Sequence, residues 1–185
     1  MGTIGKDFNY IKVENFLEKE VLDILKKFTE IKFTLLDEDH FMPEGDARSC
    51  GEVSYYGDVV MDSILLLSKE KVEKHTNTKL LPTYSFWRVY SHGSYLLPHT
   101  DRPSCEISVT VHIDGDKEDW PIYFNDTPIE TKPGDGIIYL GTKIKHSRKP
   151  FTGDYQTQLF LHYVNADGKF KEYEKDKRML YGIMK

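Results

Sequence analysis

The sequence predicts a mostly β fold with α-helical support, an α+β chain whose two early helices cover one face of an antiparallel sandwich or barrel. Three observations carry that prediction. Apolar residues recur at helical spacing in the first part of the chain. Between residues 84 and 164 the period changes to two. Turn residues cut this second part into roughly seven or eight short strands, and helices followed by strands pack as layers of the α+β kind.

Bulk composition sets the outer bounds. A chain of 185 residues builds a core without disulfide staples and reads as one domain, 1–185. Within it, 1–82 supplies helical support and a candidate lid, 83–165 the strand core, and 166–185 a charged C-terminal segment. Hydrophobic residues make up 39% and charged residues 30%, the balance of an ordinary folded domain. The net charge of −5 argues against nucleic acid as the main partner, because phosphate binding needs a basic face. The first residues lack the apolar run of a signal peptide, and the longest aliphatic run, 64–67, is far too short for a bilayer. No membrane association is expected, and the cytoplasm is the default compartment. Cys50 and Cys105 read as reduced thiols rather than a disulfide. The oligomeric state has no readable signature.

In chain order, residues 13–28 place Phe16 or Leu17, Val21, Leu22, Leu25 and Phe28 on one helical side, with lysines and glutamates opposite and Asn15 as candidate N-cap. Residues 36–57 show no period and are punctuated by Pro43, Gly45, Gly51 and Gly57, which marks either a lid over a functional site or a solvated connection. Asp58 opens a second helix that runs to about His75. Among the strands, 86–90 sets Arg88 and Tyr90 against Trp87 and Val89, and 106–113 sets Ile107, Val109, Val111 and Ile113 against Ser108, Thr110 and His112. Residues 122–124 and 136–140 are short strands, and 156–164 is the last, with Gln156, Gln158 and His162 sharing a face. If the helices cover the apolar face, Ser108, Thr110 and His112 point inward. The mixed-charge run 169–178 reads as a solvated helix or tail.

His99 and Asp101 stand one residue apart where an extended segment ends after Pro98. His146 follows at the start of another strand, beyond the tight turn 131–136. Two imidazoles and one carboxylate are the ligand set of a facial triad, which holds Fe(II) and leaves its other positions open for cosubstrate and O2. A lone His-x-Asp is common and by itself reads as a turn histidine; its ordered company gives it weight. His146 and Arg148, two apart on a strand, share a face. Other chemistries lack their residues: there is no H-E-x-x-H, no Cys-x-x-Cys and no G-x-S-x-G. Cys105 has no recognisable base partner and reads as a packed core thiol.

The stretch Arg88-Val89-Tyr90-Ser91-His92-Gly93-Ser94-Tyr95-Leu96-Leu97-Pro98-His99-Thr100-Asp101, followed by Pro133-Gly134-Asp135 and His146-Ser147-Arg148, resembles the Fe(II)- and 2-oxoglutarate-dependent dioxygenases. Within them it is most similar to the prolyl 4-hydroxylase-like branch, over most of the chain. The opening Val13-Glu14-Asn15-Phe16-Leu17 is similar to the lead into that family's first helix. The resemblance implies a double-stranded β-helix, or jelly roll, with N-terminal helices packed on one sheet, and His99, Asp101 and His146 as iron ligands. It also implies hydroxylation coupled to conversion of 2-oxoglutarate and O2 into succinate and CO2, with ascorbate as an accessory reductant. Because Asp101 is present, hydroxylation is implied rather than halogenation, whose enzymes lack that carboxylate.

The cosubstrate site departs from the family. Its members hold the distal carboxylate of 2-oxoglutarate with a Lys or Arg about ten positions after the second histidine, where this chain has Gln156 between Tyr155 and Thr157. Arg148 is the candidate bidentate partner, helped by Tyr90, with Lys145 and Arg88 in reserve; an ion pair with Asp154 is its ordinary alternative. The substrate stays open between peptidyl proline or another protein residue, which the branch favours, and a small metabolite such as a free amino acid. A non-enzymatic, cupin-like binding module with structural histidines is the third reading. An AlkB-like nucleic-acid demethylase lacks its paired arginines on the final strands. Tyr55, Tyr56 and Trp120 are candidates for stacking on a substrate ring, with half-buried packing as the alternative.

Overall fold

Two antiparallel sheets, one crossed by two helices, make up residues 9–34, 53–116 and 119–183, the part of the chain that the computed structural model describes. The first half runs β1 (Tyr10–Val13), α1 (Lys19–Thr34), β2 (Val53–Tyr56), α2 (Val59–Thr76), β3 (Leu80–Ser91) and β4 (Leu96–His99). The second runs β5 (Ile107–Gly115), β6 (Ile122–Phe124), β7 (Thr127–Ile129), β8 (Gly136–Tyr139), β9 (His146–Arg148) and β10 (Tyr155–Asn165). The large sheet has the order β1-β8-β5-β10-β3-β2 and the small one β4-β9-β6-β7.

Alternation in β5 decides which side of the large sheet becomes core. Ile107, Val109, Val111 and Ile113 are buried in one cluster with Leu25 of α1 and Met61, Ile64, Leu65 and Val72 of α2. Each such side chain contributes roughly 1.5–3 kcal/mol by leaving water. The intervening Ser108 and Thr110 turn the other way, where Ser108 meets Asp101 and His162 and Thr110 donates to Gln158. The polar face of the sheet therefore looks inward, toward the small sheet, as the period predicts.

The second helix begins as expected, with the Asp58 carboxylate accepting from the Val60 N–H at 2.9 Å. The first does not. Asn15 is no N-cap: Tyr10–Val13 pairs with β8 as an edge strand, and Asn15 takes a left-handed φ of 49° with its N–H donating to Asp135 Oδ1 at 3.1 Å. Phe16 and Leu17 are buried in the reversal that follows, so the helix starts only at Lys19 and continues past Phe28 to Thr34. Asp135, in the turn before β8, also pairs with Lys12 Nζ at 3.1 Å and so pins this edge strand.

The end of the unpatterned region is ordered sheet, since Val53–Tyr56 pairs with β3. The rest of the candidate lid, 36–52, lies outside the described residues. Tyr55 is buried in a stack on Trp87, with ring centroids 4.3 Å apart, and therefore serves the core rather than a ligand. Tyr56 stacks on Tyr84 at 4.8 Å and donates its hydroxyl to Asp176.

The mixed-charge run is not a solvated tail. Lys175, Asp176 and Lys177 adopt left-handed φ of 55°, 51° and 61°, a conformation costing roughly 1–2 kcal/mol for each L-residue. Asp176 and Arg178 are buried, and Arg178 Nη1 reaches Asp62 Oδ2 of α2 at 2.9 Å while Nη2 donates to the Thr83 carbonyl at 3.2 Å. Buried ion pairing, rather than amphipathic period, docks this segment. No helix among the described residues is long and apolar enough to cross a membrane.

Candidate metal centre

His99 closes β4 and His146 opens β9, and the two are direct register partners across the small sheet. Their rings lie 4.3 Å apart. Asp101 follows on the loop after β4, its N–H donating to the Gly141 carbonyl at 2.8 Å. A Cβ at Gly141 would collide with the Asp101 carboxylate and the Cys105 carbonyl, so the turn before β9 can approach this closely only as glycine. The three predicted ligands are thus brought together by one strand pair and one backbone clamp.

Their atoms are oriented as well as close. Nε2 of His99 and of His146 stand 3.5 Å and 3.4 Å from Asp101 Oδ1, beyond hydrogen-bond distance. The Nδ1 of His99 meets the Leu97 carbonyl at 2.8 Å and that of His146 the Ile144 carbonyl at 3.1 Å. A carbonyl only accepts, so each Nδ1 carries a proton, and Nε2 is the ring nitrogen that each histidine turns toward Asp101. Burial pushes the Asp101 carboxyl upward, but His146 and His99 outweigh it and hold the group well below the usual carboxylate range. Two imidazole nitrogens and a carboxylate oxygen facing one point need positive charge among them, a place that a divalent metal fits.

Behind Asp101, Ser108 Oγ donates to Oδ2 at 3.1 Å and lies 2.9 Å from His162 Nδ1. Burial pushes the His162 imidazole down to about 4, so it is neutral at ordinary pH. Asp101, Cys105 and His162 form a second cluster of ligand-type atoms. Burial pushes the Cys105 thiol up to about 12, however, and a protonated thiol is a poor ligand.

A cavity of about 130 Å³ opens beside the triad, between the two sheets. His99, Asp101, His146, Arg148 and Tyr90 line it, together with Arg88, Arg102, Tyr84, Tyr139 and apolar side chains such as Phe86 and Phe160. Arg148 is 3% exposed; its Nη1 donates to the Trp120 carbonyl at 2.5 Å and its plane lies over the Trp120 ring at 4.6 Å. Nη2 is buried with no hydrogen-bond partner. The anticipated alternative, a salt bridge to Asp154, is absent, and no carboxylate among the described residues lies within ion-pair distance of Arg148. Burial lowers its guanidinium to about 10, which leaves it charged at neutral pH.

Tyr90 is buried and meets Trp120 edge-on at 4.8 Å. Trp120 is itself buried, with Nε1 donating to the Lys149 carbonyl at 2.6 Å, so it builds the wall behind Arg148 instead of presenting a free face. Lys145 is exposed and does not line the cavity; Arg88 does. Sequence reasoning missed Ser108 and His162 as supports of Asp101, although the period of β5 and β10 put both on the inward face. It also passed over Arg102, whose neighbour Asp101 was the available signal.

No family model and no curated protein sequence matches the chain. Solved structures do. A viral collagen prolyl hydroxylase from Paramecium bursaria Chlorella virus-1, solved with 2-oxoglutarate, superposes with a TM-score of 0.65 at 17% identity, covering 87% of this chain and 98% of that one. A Trichoplax adhaerens prolyl hydroxylase in complex with a hypoxia inducible factor peptide gives 0.64 at 13% identity, over 91% and 86% of the two chains. The α-ketoglutarate dependent epimerase SnoN of nogalamycin biosynthesis gives 0.70 at 11% identity, over 88% and 81%. At such identities the likeness establishes the fold: the chain is a double-stranded β-helix, or jelly roll, with helices packed on its large sheet.

Proposed function

We propose that this protein is an Fe(II)- and 2-oxoglutarate-dependent oxygenase that hydroxylates its substrate. One observation carries the reading: the convergence of two Nε2 atoms and a carboxylate oxygen on a cavity whose wall holds a buried guanidinium with no carboxylate partner among the described residues. The fold neighbours, prolyl hydroxylases among them, support the same reaction class.

His99, Asp101 and His146 hold the metal, and the Leu97 and Ile144 carbonyls keep both imidazoles in the ligating tautomer. Ser108 fixes the Asp101 rotamer by occupying Oδ2, so that Oδ1 stays turned to the histidines. Arg148 offers Nη2 to the distal carboxylate of 2-oxoglutarate, its position locked by Trp120, with Tyr90 beside it. When bound, iron with 2-oxoglutarate and O2 supplies the oxidation, yielding succinate, CO2 and a hydroxylated substrate. Phe86, Phe160 and Ile122 keep the cavity wall apolar and limit water.

Wild-type protein supplied with Fe(II), 2-oxoglutarate and O2 is expected to release succinate, and chelation of the iron should stop it. A protein that binds no Fe(II) would instead be a binding module on the same fold. Arg148→Ala is expected to weaken 2-oxoglutarate affinity. A hydrogen bond to a charged group contributes about 1.5–3 kcal/mol, or roughly 10- to 100-fold in affinity. Titration of cosubstrate by calorimetry reads this directly, and an unchanged affinity would remove Arg148 from the role.

A further inference from the structure

The cavity is basic in an acidic protein. Among the described residues its lining contains Arg88, Arg102 and Arg148 and the carboxylate of Asp101, while the chain as a whole carries −5. In the reading above Asp101 serves the metal and Arg148 the cosubstrate, and Arg102, ion-paired with Asp176, has no part in either. Arg102 is placed to use it. It follows Asp101 directly, lines the cavity, and has a side chain still 49% exposed.

Its guanidinium is held in advance of any ligand. Nη2 donates to Asp176 Oδ2 at 2.9 Å, and the plane lies over the Tyr84 ring at 4.6 Å. Asp176 is itself buried, receives the Tyr56 hydroxyl, and stands in the middle of the three left-handed residues 175–177. Non-glycine residues rarely adopt that conformation, and strain of this kind concentrates where a side chain must be presented in one place. A guanidinium has five N–H donors in a rigid fork that matches a carboxylate, and the contacts with Asp176 and Tyr84 engage only part of it.

We propose that Arg102 is a substrate-specificity residue, and that the primary substrate is a small molecule carrying a carboxylate which pairs with Arg102 at the cavity wall. The proposal rests on the oxygenase reading and narrows it. Arg102 follows Asp101 directly and lines the same cavity as His99 and His146, so a carboxylate paired with it stands close to the metal ligands, which suits a compact acid. The same contacts make Asp176 a positioning residue: it touches no substrate and aims the group that does.

The test measures substrate-stimulated succinate release at saturating 2-oxoglutarate with a panel of small carboxylic acids, free amino acids included, each paired with its primary amide. A C-terminally amidated proline peptide forms a separate arm. The readout is the acid-to-amide ratio of stimulation, an internal comparison that does not depend on how much of a variant is folded. In wild type at least one acid should exceed its amide by tenfold or more. Arg102→Gln should bring that ratio close to one, Arg102→Lys should restore part of it, and Asp176→Asn should lower it by loosening the guanidinium. Equal stimulation by acids and amides, a ratio that survives in Arg102→Gln, stimulation by the amidated peptide alone, or no stimulation by any acid would each overturn the proposal. Iron-dependent succinate release without acid preference defeats this proposal only. Absence of both Fe(II) binding and succinate release defeats the oxygenase reading and this proposal with it.

Discussion

Asp101→Ala is expected to abolish iron-dependent succinate release and to weaken Fe(II) binding by more than the roughly 10- to 100-fold typical of losing a residue that merely supports a ligand. The expectation follows from what remains. His99 and His146 keep their carbonyl partners and their mutual register, so the two Nε2 atoms stay in place. The loop clamp survives too, because the bond to Gly141 is made by the backbone N–H of residue 101. What disappears is the negative charge around which the site is arranged. Equilibrium dialysis with Fe(II) under anaerobic conditions separates loss of metal from loss of fold, checked by circular dichroism. Succinate release that persists in a folded Asp101→Ala protein would defeat the proposed triad.

The second large effect lies far from the metal. Asp62→Ala is expected to destabilise the protein by about 3–5 kcal/mol, the range found when one partner of a buried ion pair is removed. Asp62 and Arg178 are each 2% exposed at the side chain, and their separation is 2.9 Å. The Asp62 carboxylate also accepts from the Ser85 N–H at 3.0 Å, the Ser85 hydroxyl at 2.7 Å and the Gly182 N–H at 2.7 Å. Its loss leaves a buried guanidinium uncompensated and several donors unmet. With typical stabilities of about 5–15 kcal/mol, the urea midpoint should fall steeply, and the chain after residue 170 should become open to proteolysis. The double variant Asp62→Leu with Arg178→Leu should recover much of the loss, since apolar packing removes the uncompensated charge. A midpoint shift worth less than about 1 kcal/mol for Asp62→Ala would show the pair to be dispensable.

These two sites differ in how readable they were. The meeting of His99, Asp101 and His146 was legible because their residue types are unusual together, and because Pro98 and the turn before β8 mark where strands end. The apolar face of β5 was legible because alternation leaves a periodic trace. Asp62 leaves none. In sequence it is one more acid in the first turn of a helix, and its partner lies in a segment whose alternating charges look solvated. Nor do four-residue edge strands such as Tyr10–Val13 and Val53–Tyr56 carry enough residues to show a period. Asn15 looked like a cap because its residue type favours caps, yet the same residue also tolerates the left-handed turn it adopts. The position expected to be basic holds Gln156, which is buried opposite Tyr90, while the orphaned donor sits on β9 at Arg148. Parity could nominate Arg148, but only three dimensions reveal that it lacks a carboxylate partner among the described residues.

Under the proposed function, the pairing of His99 with His146 across β4 and β9 couples metal occupancy to the integrity of the small sheet. Strands of three or four residues have little stability of their own, so the cation acts as a cross-link between distant parts of the chain. Any ligand that binds only the folded state raises the free energy of unfolding by RT ln(1 + [L]/Kd), about 2.7 kcal/mol at a free concentration of 100 Kd. If the triad holds Fe(II) as proposed, the melting temperature should rise with the logarithm of free Fe(II), and a melting temperature indifferent to Fe(II) would count against the site.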